Sequence, residues 1–127
     1  MMAQLKVLSS PHPDAIEMEG LRVRMLETFR DKALGLLRSG KHSPAAALMR
    51  CSSVHTFGMK YPLDLAFIDR DGHVLRVCQN VKPGDIRSKF GSWAVIERPA
   101  SRRTWLRQGQ RVWLMQEEKR EGETVYG

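Results

Sequence analysis

The segment LDLAFIDRDGHVLRV, residues 63–77, limits the possible folds of this chain more than any other stretch. Leu63, Leu65 and Phe67 alternate with Asp64, Ala66 and Ile68, so a strand here is largely apolar on both faces. Such a strand belongs at the centre of a sheet, with other elements packed above and below it. Asp69-Arg70-Asp71-Gly72 signals a hairpin, because Gly72 tolerates positive φ, and His73–Cys78 is expected to return as the partner strand. Further strands are expected at Leu21–Leu26, Ala45–Met49, Ser92–Glu97 and Arg111–Met115, each bounded by turn residues. Thr28 is placed to cap a helix, with Asp31 three residues on, Ala33, Leu34 and Leu37 on one face and Gly40 as its stop. Ser101–Trp105 is expected to form a single helical turn. The pattern predicts a mainly β fold, a small single-domain β-barrel or β-sandwich with one short α-helix near the N-terminus. Residues 1–19, broken by Pro11 and Pro13, read as a flexible lead-in to a β-rich domain over 20–116, with a charged tail over 117–127.

The 127 residues suit one domain, and 42% apolar with 28% charged residues is the balance of a soluble globular protein. No run reaches the roughly 18 apolar residues of a membrane helix, so no membrane span is expected. The opening MMAQLKVLSSPHPDA lacks the apolar core of an export signal, which makes the cytoplasm the expected location. Two cysteines, Cys51 and Cys78, are too few for a disulfide framework and read as free thiols. No CxxC or HxxxH spacing occurs, so no metal or cofactor is expected. Cys51, His55 and Met59 recur at intervals of four, but in an extended chain four residues span roughly 13 Å, too far for one ion.

The formal net charge is +7, and Arg98, Arg102, Arg103, Arg107 and Arg111 fall within fourteen residues. That segment makes Arg98, Arg102, Arg103 and Arg107 candidate anion-binding residues, and an acidic protein or anionic ligand the expected partner. A solvated basic face is the heavier reading. Nucleic acid is not favoured, because no recognisable binding module accompanies the charge.

The stretch HTFGMKYP, residues 55–62, is too mixed for a core and too apolar for a solvated loop. It reads as a crossing segment that packs Phe57 and Met59 inward. His55, Met59, Lys60 and Asp64 are its candidate ligand-binding residues, at the mouth of the central strand. An Asp between Leu63 and Leu65 is expensive to bury without partners, so the plainer role of Asp64 is to anchor the preceding loop. Glu97 is a second carboxylate in an apolar strand. Cys51 with His55 or His73 could form a thiol–imidazole pair, and Cys51 with His55 defines the enzymatic alternative. Trp93 and Trp113 fall on inward-looking strand positions, and Trp105 beside Arg102 and Arg103 reads as the surface aromatic.

The blocks CSSVHTFGMKYPLDLAFIDRDGHVLRV, WAVIERPA and LRQGQRVWL, with ALGLLRS before them, resemble an uncharacterised prokaryotic family, domain of unknown function 192. The resemblance covers roughly residues 21–115. It implies a compact, mainly β domain and leaves the function open, since no activity is established for the family. The functional expectation from the residues is a non-enzymatic binding or accessory module with a shallow site over residues 55–64. The alternatives are a small thiol enzyme or hydrolase using Cys51 and His55, and an anion or nucleic-acid binder over 98–111.

Overall fold

In the computed structural model, the described residues are 2–12, 20–26 and 45–117. The central strand lies where its two-faced pattern put it. Leu63–Ile68 (β5) is buried at all six positions. It pairs antiparallel with Val74–Val81 (β6) on one side and Ala94–Pro99 (β8) on the other. Beyond β8 come Ala45–Met49 (β3), Arg22–Leu26 (β2), Met2–Ser9 (β1) and Arg111–Gln116 (β9). The order across this seven-stranded sheet is β6-β5-β8-β3-β2-β1-β9, and β2 with β3 is its parallel pair. Ser53–His55 (β4) and Ile86–Ser88 (β7) form a separate two-stranded antiparallel ladder.

The sheet is not closed into a barrel. Its two edges meet at one isolated bridge, His73 with Arg111, flanked by hydrogen bonds between Val112 and Gly72 and between Val74 and Gln110, and among the described residues no longer ladder joins them. Nor is the two-stranded ladder the second layer of a full sandwich. Each face of the large sheet nevertheless carries its own apolar cluster, because side chains alternate along every strand. One cluster joins Leu5, Val23, Ala47, Ala66, Ile68, Ile96 and Val112, with Trp105 and Leu106 added from the β8–β9 connection. The other joins Leu48, Leu63, Leu65, Phe67 and Val95 to Val54 and Met59 from the β4 region.

Three expectations need correction. Residues 2–9, read as part of a flexible lead-in, are strand β1, with Ala3 and Leu5 fully buried. Ser101–Trp105 is not a helical turn. The Arg98 guanidinium donates to the carbonyls of Arg103 (2.7 Å) and Thr104 (3.0 Å), which ties those carbonyls to a side chain instead of a helical ladder. The tryptophans are inverted: Trp105 is 3% exposed and Trp113 is 51% exposed. Val112 faces the core, so its neighbour Trp113 faces out. The helix expected over Thr28–Gly40 lies outside the described residues. Among the described residues there is no helix, and none is long and apolar enough to cross a membrane.

Candidate ligand pocket

The four residues expected to share a cleft do not converge. His55 is exposed and stacks on Phe57, with centroids 5.4 Å apart and 26° between planes. Phe57 is half exposed instead of packed inward, whereas Met59 is buried and Lys60 exposed. This arm, residues 55–62, is held by Thr56, which the sequence did not single out. Its hydroxyl donates to the Lys82 carbonyl (2.7 Å) and accepts from the Asp85 N–H (2.9 Å).

Asp64 points to the other side of the sheet. Leu63, Leu65 and Phe67 belong to the cluster that contains Met59, whereas Ala66 and Ile68, in phase with Asp64, belong to the opposite cluster. Asp64 is 1% exposed. Its carboxylate accepts from Arg98 Nε (2.8 Å), the Ser101 N–H (3.2 Å) and the Asn80 N–H (2.9 Å). Asn80 takes positive φ at the register shift where β6 bulges opposite Asp64. Asp64 thus anchors that bulge and the β8–β9 connection, not the arm before it.

Arg98 is consumed by the same network. Besides Asp64 and the two carbonyls, it lies over the Trp105 ring at 4.4 Å, so it does not face an anion in solvent. Arg102 and Arg103 are exposed, and exposed Arg107 approaches the His12 ring at 3.5 Å. Cys51 and Cys78 are free thiols. The Cys51 thiol donates to the Ser53 carbonyl (3.1 Å) and not to His55; the thiol–imidazole pair is not assembled. Glu97, 2% exposed, sits on the face opposite Asp64. Burial pushes its pKa up to about 7, and Arg24 works against that shift.

A concave feature lies elsewhere, at the end of the sheet where β5 and β3 finish. A cavity of about 280 Å3 opens there, lined by Met25, Met49, Ile68, Trp93 and Leu114, with Asp69 and Arg70 among its polar residues. The opposite end of this face is filled by Trp105, whose indole N–H donates to the Leu65 carbonyl (3.2 Å). Trp93 is fixed through its backbone. Its N–H donates to the Ile68 carbonyl (2.7 Å), and its carbonyl accepts from the Cys51 N–H (3.0 Å). Two guanidiniums lie over its ring, Arg70 at 4.2 Å and Arg50 at 5.9 Å. Neither has a carboxylate partner among the described residues.

At the rim, Asp69, Asp71 and His73 bring their ligand atoms within 4.8 Å of one another. The turn accounts for this cluster. Asp69 Oδ1 accepts the N–H groups of Asp71 and His73, both at 2.9 Å, and Oδ2 meets the His73 ring at 3.2 Å. Desolvation opposes ionisation of Asp69, yet those N–H donors hold its carboxyl below the usual range.

No curated protein matches the chain. Among solved structures, it is similar to a candidate transcription regulator from Sinorhizobium meliloti at 18% identity and a TM-score of 0.73, covering 90% of this chain and 94% of that one. It is also similar to a protein of unknown function from Novosphingobium aromaticivorans at 19% identity and a TM-score of 0.68, covering 88% and 84%. Both likenesses establish the fold. The family model described as Uncharacterized ACR matches residues 13–114, and this chain belongs to the DUF192 family.

Proposed function

We propose that this chain is a non-enzymatic binding module whose ligand enters the open end of the sheet, beneath Trp93. The observation that carries this reading is an aromatic ring fixed through its backbone at a cavity, with two guanidiniums over it that lack carboxylate partners among the described residues. A cavity of about 280 Å3 is at the small end of ligand pockets, which run roughly 300–1,000 Å3. Its apolar wall favours one alkyl or aryl group, and the guanidiniums favour an anion beside it. The lining offers no nucleophile paired with a base, and the Asp69 oxygens already accept N–H groups.

The test is titration of the 15N-labelled protein with phenylbutyrate and, separately, phenylbutylamine, following the indole signal that Trp93→Phe removes. The carboxylate should shift that signal and the amine should leave it in place. Equal shifts with both, or shifts confined to the exposed Trp113, would overturn the reading.

A further inference from the structure

The cavity runs along a sheet edge. β9 ends the seven-stranded order, and its residues Val112, Trp113, Leu114 and Gln116 all line the cavity. The ladder dictates which backbone groups of β9 face it. The Val112 N–H donates away from β1, to the Gly72 carbonyl (2.9 Å), whereas the Glu117 N–H donates into β1, to Met2 (3.1 Å). Inward and outward positions alternate along an antiparallel strand. Leu5, opposite Leu114, is turned towards β2. Its N–H donates to the Leu21 carbonyl and its carbonyl accepts from the Gly20 N–H, both at 2.8 Å. Leu114 therefore directs both its N–H and its carbonyl at the outer edge, where no strand among the described residues pairs with it.

We propose that this edge takes an extended peptide segment of an acidic partner protein, which pairs with Leu114 and places one large apolar side chain under Trp93. The inference rests on the pocket reading and names the partner for it. Strand addition draws affinity from backbone hydrogen bonds and specificity from the pocket that receives a side chain. Both elements are adjacent here. The free edge is short, because the Val112–Gly72 bond closes one end and β9 stops at Gln116. A short edge suits a peptide better than a second folded copy. Charge points the same way: two copies at +7 repel, whereas an acidic segment meets Arg50 and Arg70.

The experiment uses displayed random nonapeptides selected on the intact chain, followed by synthesis of the tightest binder and fluorescence anisotropy. The selected sequences should set an acidic residue beside a large apolar one. Methylating the peptide amide that faces Leu114 should weaken binding about tenfold, the scale of one lost hydrogen bond. Leu114→Pro removes an outward N–H without touching the β1 ladder and should weaken binding similarly, beyond the loss in Leu114→Ala. Arg70→Glu should weaken it as well. A scan of methylated amides with no sensitive position, or no enriched peptide, would overturn the proposal. If phenylbutyrate still moves the Trp93 signal while no peptide binds, the peptide inference falls and the pocket reading survives. If neither binds, both fall. A dimer in sedimentation that Leu114→Pro disperses would assign the edge to a second copy instead.

Discussion

The two ends of the seven-stranded sheet each carry an arginine over a tryptophan, at nearly the same distance: Arg98 over Trp105 at 4.4 Å and Arg70 over Trp93 at 4.2 Å. Their surroundings differ. Arg98 also bonds a buried carboxylate and two carbonyls, and Trp105 is buried with its indole N–H satisfied. Arg70 is exposed with no carboxylate partner among the described residues, and Trp93 borders a cavity. One end is closed by a saturated network and the other is left open. An arginine–tryptophan pair therefore says little about function until the guanidinium's other partners are counted.

The strongest way to break this comparison is Asp64→Leu. It leaves the Arg98 charge buried without its partner, a loss of about 3–5 kcal/mol, and strands the Asn80 and Ser101 N–H groups. Asp64→Asn should lose less, since an acceptor remains. Urea titrations measure both, and a loss under about 1 kcal/mol in the leucine variant would show that the end is not held by this network.

Gly72→Val addresses the open end. Gly72 has φ +89°, and a Cβ there collides with the Val112 carbonyl oxygen beside the bridge that joins the sheet edges. A loss of about 3 kcal/mol is expected, seen as a lower Tm. An unchanged Tm would remove the edge-to-edge contact as a structural element.

Glu97 sharpens the contrast between the two buried carboxylates. Asp64 has three donors, whereas burial raises Glu97 from 4.5 to about 7. In this interval the folded protein holds a proton that the unfolded chain releases. Stability from this group is full below pH 4.5 and declines as pH rises towards 7, at up to about 1.4 kcal/mol per pH unit. Glu97→Gln should flatten that decline, gaining on the parent between pH 5 and pH 8 by about 2–3 kcal/mol. Parallel curves for the two proteins would refute the raised pKa.

Arg70→Ala is the smallest effect. An exposed cation over a ring contributes about 0.5–1 kcal/mol, so denaturation should barely move while anion binding at Trp93 is lost. A large destabilisation would make the open end structural, like the other.

Much of the sheet was legible. The two-faced pattern of β5, the Asp-Gly turn and the apolar runs of β2, β3, β8 and β9 are local signals, and local signals survive folding. What was missed depends on distant partners. β1 is a weak strand by itself, and Ala3 pairs with Gln116 at the far end of the chain. β4 and β7 are three residues each, too short to show a period. Burial of Asp64 could be read from its apolar neighbours, but its partner was counted among the anion-binding arginines. The sequence shows five arginines close together without showing which one has left water. The cavity is assembled from β2, β3, β5, β8 and β9, and no single stretch announces it.

The pairing of β1 with β9 also bears on how the chain reaches this state. Loop closure between segments so far apart in sequence is entropically unfavourable, and β-rich topologies built on such contacts fold on the millisecond-to-second scale. During synthesis β1 emerges early and β9 late, so the edge of β1 that carries Lys6 and Gln4 stays bare until more than a hundred further residues have been made. Among the described strands, β9 both shields β1 and supplies part of the rim of the pocket. Formation of the proposed binding site is then tied to closure of the β1–β9 pairing.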